Sequence, residues 1–228
     1  MTLYDAISND DIEKLKVLLQ GGQNPDELDD YGQSPLFRVI FNKTHHQKEL
    51  VNLLITFGAN VNFQKKDGTT PLFHAKGKIT TILLENGADV NIKSFQGTKA
   101  LHHAIDVETT QVLLEYGGDI NDKDRSLSTP LHNYVYFGGD LVQFAIRKGA
   151  DVNASNNLGW TPLICLARTE GADNMDNIDI IKTADILLKT GADINAVDNL
   201  GMKAYDHALE MDINNMQLAE YLKNWNKN

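Results

Sequence analysis

The sequence predicts an all-α solenoid of about seven helix pairs joined by β-hairpin loops. Three observations support this fold class: a glycine-led motif recurs along the chain, a second motif containing Thr-Pro follows most copies, and the segments between them carry single apolar stripes. A short helix with one apolar stripe cannot bury it alone. Stacked neighbouring pairs supply the missing cover, so the repeats together form the core.

The first motif reads Gly-Ala-Asp-Val-Asn in its best form. Its clear copies begin 29, 30, 32 and 42 residues apart, and a degenerate copy begins at Gly22. A glycine directly after an amphipathic stripe is typical of a left-handed helix C-cap. These starting glycines are therefore expected to close the second helix of each pair: Gly58, Gly87, Gly117, Gly149 and Gly191.

The second motif is Gly-x-Thr-Pro-Leu, found best at 68–72 and 159–163, with weaker copies beginning at residues 32, 97, 127 and 201. Threonine is a good N-cap, and proline in the first turn of a helix loses no hydrogen bond. Thr70, Thr129 and Thr161 are therefore predicted to open helices. The turn-forming residues between each closing glycine and the next Thr-Pro predict a hairpin loop.

Together the two motifs resemble the ankyrin-repeat family over residues 2–225. The resemblance implies stacked helix pairs with projecting β-hairpins, and a concave face of hairpin tips and first helices that binds other proteins. We expect a single domain over 1–228, with an N-terminal capping unit at 1–29, internal repeats at 30–198 and a C-terminal capping unit at 199–228.

Repeat lengths vary. The distance from the Thr position to the closing glycine is 17 residues in the third unit and 18 in the fourth, but 24 and 30 in the second and sixth. The short units have lost about one helical turn of 3.6 residues, which keeps the apolar stripe in place. The long units place extra residues at 42–47 and 169–177, between their helices. Loops that grow without structural need are functional candidates, but surface insertions cost little free energy, so the purely structural interpretation is the stronger of the two.

Composition and net charge limit the classes of partner that the chain can bind. The chain has 31 acidic and 21 basic residues, a formal charge of −10, which disfavours nucleic acids and anionic membranes and favours a protein with a basic or mixed-charge surface. A single cysteine, Cys165, excludes an internal disulfide. Neither a signal peptide nor an apolar run of membrane-spanning length is visible. We predict a cytoplasmic monomer, placed in a host cytosol if it is a secreted effector.

Chemistry-bearing residues do not form a recognisable catalytic or metal-binding pattern. His74, His102, His103 and His132 fall on the first helices of three repeats, and three of the four lie at or beside the position where the resemblance implies a structural histidine. The loop carboxylates Asp173, Asp176 and Asp179 lack the alternating spacing of a calcium loop. Phosphate-binding and hydrolase motifs are absent. The sequence therefore predicts no enzyme activity, no catalytic residue, no cofactor and no metal.

The resemblance also implies which residues contact a partner, namely the variable positions on hairpin tips and first helices. These are Tyr31, Lys66, His74, Lys93, Phe95, His103, Lys123, Arg125, Tyr136, Leu158 and Trp160. The central tips are basic, and the aromatic residues among them are typical interface anchors. The alternative is that the lysines only solvate the tips and that Trp160 packs on a neighbouring hairpin.

Three functions are open from the sequence. The first is a non-enzymatic scaffold, adaptor or inhibitor that binds a partner protein on the concave face. The second is an immunity or antitoxin-like inhibitor that covers a basic toxic enzyme, which the charge of −10 favours. The third is an effector that a bacterium or virus delivers into a eukaryotic host. The repeat motifs alone do not discriminate among them.

Overall fold

The computed structural model describes residues 2–42, 44–169, 180–210 and 215–225, and these residues form seven pairs of helical segments. The chain divides into two compact units. Unit 1 comprises Met1–Ala104 and Glu108–Gly118, and unit 2 comprises Ile105–Val107 and Asp119–Asn228. Lys43 and most of the predicted loop at 169–177, with the carboxylates of Asp173, Asp176 and Asp179, lie outside the described residues.

Unit 1 contains four helix pairs. Their segments are α1 (Leu3–Ser8), α2 (Ile12–Gln20), α3 (Pro35–Phe41), α4 (Gln47–Thr56), a 3₁₀ turn (Pro71–Phe73), α5 (Lys78–Glu85), a second 3₁₀ turn (Ala100–His103) and α6 (Val107–Glu115). First members of the pairs pack on first members, and α2, α4 and α5 pack in a second layer. Leucines from both layers are fully buried between them, among them Leu15, Leu36, Leu50, Leu54 and Leu83.

Unit 2 repeats this arrangement with three pairs. Its segments are α7 (Pro130–Tyr134), α8 (Gly139–Arg147), α9 (Pro162–Ala167), α10 (Ile180–Lys189), α11 (Ala204–Glu210) and α12 (Met216–Asn224). The first helices α7, α9 and α11 form one layer, and the second helices α8, α10 and α12 form the other. The buried side chains between the layers include Leu131, Tyr134, Leu166, Leu187 and Leu218. The predicted all-α solenoid of helix pairs is confirmed.

The Thr-Pro positions open helical segments as predicted, with one difference. The Thr161 hydroxyl accepts a hydrogen bond from the Ile164 amide at 3.4 Å, and Ser34 occupies the same position in α3. At Thr70 the segment that follows is only a 3₁₀ turn of three residues, and the buried hydroxyl has no hydrogen-bond partner among the described residues. The residues missing from the third and fourth repeats are therefore missing from their first helices.

The closing glycines adopt the left-handed conformation that the motif predicts. Gly87, Gly117, Gly149 and Gly191 have φ angles of 86°, 91°, 90° and 102°. A side chain at such a φ is strained, whereas glycine is not. The chain then turns from the second helix into the next hairpin.

The last asparagine of the glycine-led motif joins consecutive repeats. In unit 2 the side-chain Nδ2 of Asn153 donates to the Gly191 carbonyl at 2.9 Å, and its Oδ1 accepts from the backbone amide of Asp193 at 2.8 Å. Asn62 in unit 1 and Asn121 in unit 2 make the equivalent two bonds to the repeats that follow them. The recurrent asparagines are thus part of the scaffold.

Replacing one of these asparagines should destabilise its unit. Asn153→Ala is expected to lower the free energy of unfolding of unit 2 by about 1–3 kcal/mol, because a carbonyl and an amide lose their partners. Asn91→Ala is the comparison variant, since Asn91 holds the same motif position in unit 1 but its Oδ1 accepts from the Lys99 ammonium of its own repeat. Urea denaturation of both variants measures the difference. Equal losses would show that the inter-repeat bonds contribute nothing.

Six hairpin tips project from the helix pairs, and all share one hydrogen-bonding pattern. The first residue of each tip donates its amide to the carbonyl of the fourth residue after it, and the tips span 29–33, 65–69, 94–98, 124–128, 156–160 and 198–202. Beyond these turns, the β pairing in the described residues is one isolated bridge, Val197 with Lys203. The predicted hairpins are therefore tight loops without extended strands.

Candidate protein-binding surface

The first side chain of most tips fixes the conformation of the loop. Asp29, Asp124, Asn156 and Asp198 each accept two hydrogen bonds through Oδ1, from the amides of the second and fourth residues after them, at 2.8–3.1 Å. An acceptor of this kind pre-orders a turn that would otherwise be flexible. The two residues that follow each acceptor are held at the end of the loop.

Consecutive tips are also bonded to each other within each unit. In unit 1 the Phe95 amide donates to the Asp67 carbonyl at 2.8 Å. In unit 2 the Asn157 amide donates to the Ser126 carbonyl at 2.8 Å, and the Asn199 amide donates to the Leu158 carbonyl at 3.0 Å. The second and third tips of unit 1 and the three tips of unit 2 are therefore held together, which lowers the entropy that a partner must remove on binding.

In unit 1 the tips expose large side chains that sequence analysis had singled out. Tyr31 is 78% exposed and Phe95 is 60% exposed, and both stand on hydrogen-bonded tips. Lys66 on the second tip is exposed, as is Lys93, which directly precedes the third tip. His103 is exposed but tethered, since its Nε2 lies 3.0 Å from the Thr98 hydroxyl.

His74 lies half-buried on the first-helix layer of unit 1. Its ring centroid is 4.6 Å from that of Phe41 and 6.1 Å from that of Phe37. Burial, together with the charges of Lys65 and His103, lowers the pKa of His74 from 6.5 to about 4. The imidazole is therefore neutral at neutral pH and behaves as an aromatic packing group.

The shifted pKa of His74 makes unit 1 sensitive to acid. The unfolded chain protonates His74 near pH 6.5 and the folded chain only near 4, so stability present above pH 6.5 is lost progressively as the pH falls towards 4. His74→Gln should remove this loss. Thermal unfolding followed by circular dichroism should show the variant gaining on the wild type between about pH 7.5 and 5, whereas the control His45→Gln, at an exposed position, should not. A pH-independent difference would contradict the assignment.

In unit 2 the predicted residues divide into exposed and packed positions. Lys123 and Arg125 are exposed, and Leu158 is 46% exposed at the end of its tip. Tyr136 is half-buried and its hydroxyl donates to the Cys165 carbonyl at 3.4 Å. Trp160 is half-buried, with the Arg168 guanidinium 4.3 Å above its ring. Arg168 belongs to the same repeat, but the Trp160 ring centroid also lies 6.3 Å from that of His207 in the next repeat. This is packing of the kind that the alternative interpretation described.

A buried polar network ties the last hairpin of unit 2 to its first helices. Asp198 and His207 side chains are each 2% exposed, and Oδ2 of Asp198 lies 2.9 Å from Nε2 of His207. Nδ1 of His207 lies 2.9 Å from a guanidinium nitrogen of Arg168, so Nδ1 accepts and Nε2 carries the ring proton. The Trp160 indole N–H also donates to Asp198, at 3.3 Å. This is a structural network, because solvent does not reach the Asp–His pair.

Cys165 and the carboxylates give no sign of reactive chemistry in the described residues. Burial raises the pKa of the Cys165 thiol to about 12, so the nucleophilic thiolate does not form at neutral pH. No three His, Cys, Asp or Glu side chains within 2–42, 44–169, 180–210 and 215–225 are placed to hold a metal ion together. The helices in these ranges are also too short or too polar to cross a membrane.

Comparison with known proteins decides the family. The family model for ankyrin repeats, which describes three repeat copies, matches residues 3–94, 43–124 and 107–198. The chain belongs to the ankyrin-repeat family. The structure of the human ASB11 ankyrin repeat domain has the same fold, with a TM-score of 0.80 over 97% of this chain and 96% of that one, at 23% identity.

Several proteins share ankyrin repeats with this chain at the sequence level. Human M-phase phosphoprotein 8 is 40% identical over 76 residues, which cover 33% of this chain and 9% of that protein. Potassium channel AKT1 of Oryza sativa subsp. indica is 34% identical over 71 residues, 31% of this chain and 8% of the channel. Ankyrin repeat protein OPG189 of Variola virus is 32% identical over 156 residues, which cover 65% of this chain and 23% of that protein. The chain thus spans only a small part of these relatives.

Ankyrin-repeat domains are generally protein–protein interaction modules and are typically non-catalytic. In this ankyrin domain the structure adds exposed apolar residues that the predicted contact set omitted. Leu200 is 82% exposed on the last tip, and Leu127, Val197 and Phe41 are about half exposed. The signal was present in the sequence, since Leu127 and Leu200 occupy tip positions where small or polar residues favour the turn.

Proposed function

We propose that this ankyrin-repeat chain binds a partner protein through a tip surface on each unit, defined as the hairpin tips of that unit and the first helices that adjoin them. The observation that carries the proposal is the placement of large apolar side chains on pre-ordered tips. Tyr31, Phe95 and Leu200 expose most of their surface there. Exposed apolar side chains on a rigid backbone are characteristic of interface anchors, because binding buries them at little entropic cost.

The division between constant and variable residues supports the same surface. The recurring glycines, aspartates and asparagines are engaged in turns and inter-repeat hydrogen bonds. The residues at the ends of the tips differ from repeat to repeat, as in Asp30-Tyr31, Phe95-Gln96 and Asn157-Leu158. A scaffold that repeats while its projecting residues vary has the properties of a recognition surface.

A binding role without catalysis is consistent with the chemistry of the described residues. The Asp198–His207 pair is buried, and a guanidinium occupies the position beside Nδ1 where a general base would meet a nucleophile. The Cys165 thiol is protonated and buried. We therefore infer a non-enzymatic scaffold.

The proposal predicts that tip residues control affinity. Phe95→Ala with Arg125→Ala should weaken binding of the partner at least about tenfold, as loss of interface anchors does. The matched control is Tyr116→Ala with Arg147→Ala, which removes the same kinds of exposed side chain from the ends of the second helices α6 and α8.

The partner can be recovered with the wild-type chain, the tip variant and the control as parallel baits in extracts of the native cell, followed by quantitative mass spectrometry. The recovered protein is then purified and titrated against each variant. Retention by the control with loss in the tip variant supports the tip surface. Equal affinity of the wild type and the tip variant would place the binding site elsewhere.

A further inference from the structure

We propose that the second and third tips of unit 1 bind an acidic peptide segment carrying an aromatic or large aliphatic side chain. The inference rests on the proposed function, since it assigns partner chemistry to one part of the tip surface. We call this part the basic patch, and define it by Lys65, Lys66, Lys93, Phe41, His74 and Phe95. The net charge of −10 favours a basic partner for the chain as a whole. The charge is unevenly distributed, however, and the basic patch favours an acidic one.

The patch is locally positive. Lys65 and Lys66 stand on the second tip and Lys93 directly precedes the third, and the Phe95–Asp67 backbone bond holds these two tips together. Asp67 is the acidic side chain on these tips, and its carboxylate lies 3.5 Å from the Lys65 ammonium. Lys66 and Lys93 are exposed to solvent. Clustered charge of one sign selects a partner of the opposite sign, because a basic segment would be repelled by the same ammonium groups.

The patch also offers apolar contact next to the charges. Phe41 ends α3 and is 49% exposed, although residues on its helix are mostly buried. In the next repeat the His74 ring packs against Phe41, and the segment Pro71–Phe73 is a single 3₁₀ turn where the preceding repeat has the seven-residue helix α3. The Lys65 ammonium lies 5.9 Å from the Phe41 ring centroid. An aromatic or aliphatic side chain fits against Phe41 or Phe95, with a carboxylate beside the lysines.

Because the natural partner is unidentified, the probe is a random peptide library displayed on phage and selected on the full-length chain. Enriched peptides are synthesised and their affinities measured by isothermal titration calorimetry. We expect sequences that combine Asp or Glu with an aromatic or large aliphatic residue. Replacing either the acidic residues or the apolar residue in the peptide with alanine should reduce affinity at least about fivefold.

Two charge-reversal variants locate the binding site. Lys66→Glu with Lys93→Glu should weaken the peptide at least about tenfold, because attraction becomes repulsion. The control, Lys16→Glu with Lys48→Glu, makes the same change in net charge at exposed positions on α2 and α4 and should change affinity less than about twofold. Phe95→Ala tests the apolar component in the same assay.

Enrichment of basic or uncharged peptides, or of none, would overturn the inference, as would equal weakening by both charge reversals. Polyglutamate that binds as tightly as the selected peptide would also overturn it, since the apolar residue would then play no part. These outcomes are separate from the bait experiment. A partner lost by the Phe95→Ala and Arg125→Ala variant would uphold tip-surface binding even if its segment were basic.

Discussion

Asp198→Ala is expected to lower the free energy of unfolding of unit 2 by about 3–5 kcal/mol, because several buried donors lose the carboxylate that accepts from them, at about 1–3 kcal/mol each. The Asp198 carboxylate accepts from the Leu200 and Met202 amides and from His207. Alanine leaves these donors buried without an acceptor. Chemical denaturation followed by tryptophan fluorescence measures the effect directly, because Trp160 and Trp225 both belong to unit 2.

Acid should reproduce part of this loss. Burial opposes ionisation of Asp198, but hydrogen bonds from the Met202 and Leu200 amides and from His207 outweigh it and hold the pKa of the carboxyl below 3.8. The stabilisation is therefore complete above the ordinary aspartate pKa and is lost as the pH falls through the lower folded pKa. The wild type should lose this increment below about pH 4, and Asp198→Ala should not. For the neutral-pH prediction, a loss of less than about 1 kcal/mol in the free energy of unfolding of Asp198→Ala would show that the network is dispensable.

Gly159→Ala is expected to be the most destabilising glycine-to-alanine substitution on the tips. Gly159 has a φ of 77°, and an added Cβ would lie 2.9 Å from the Asn199 amide nitrogen and the Asp198 Cα of the next tip. The left-handed conformation costs an alanine about 1–2 kcal/mol. Forcing apart two bonded tips adds about 1–3 kcal/mol.

Gly201→Ala separates the two contributions. Gly201 holds the same tip position with a φ of 79°, but an added Cβ there meets nothing within 4 Å. It should cost only the conformational part, about 1–2 kcal/mol. Thermal and urea denaturation of both variants tests the comparison. Equal destabilisation would mean that the close approach of consecutive tips carries no strain.

The fold could be predicted because its signals are local and repeated. A closing glycine, a Thr-Pro pair and an amphipathic stripe each specify one backbone conformation, and their recurrence specifies stacking. The shortened third and fourth repeats were also predicted from spacing. The shortening of their first helices to 3₁₀ turns was not predicted, because the spacing does not say which helix of a pair has lost the turn.

The candidate site was predictable only in part. Tyr31, Phe95 and Leu158 occupy tip positions, and the turn pattern alone places them at the surface. The packing of Trp160 depends on Asp198 and Arg168, which lie in other segments of the repeat and the next tip. Contacts between repeats of this kind leave no spacing signal in a single sequence. The affinity for a partner depends on such contacts, since they decide which aromatic rings remain free to bind.

Hydrogen–deuterium exchange of the chain with and without its bound partner tests the tip-surface account most directly. Amides in a contacted loop exchange more slowly when a partner covers it. The account predicts that slowing is concentrated at tips such as 65–69, 94–98 and 156–160 and at the first helices beside them. Protection confined to the second helices, α2, α4, α5 and α6 in unit 1 and α8, α10 and α12 in unit 2, with unchanged exchange at every tip, would contradict it.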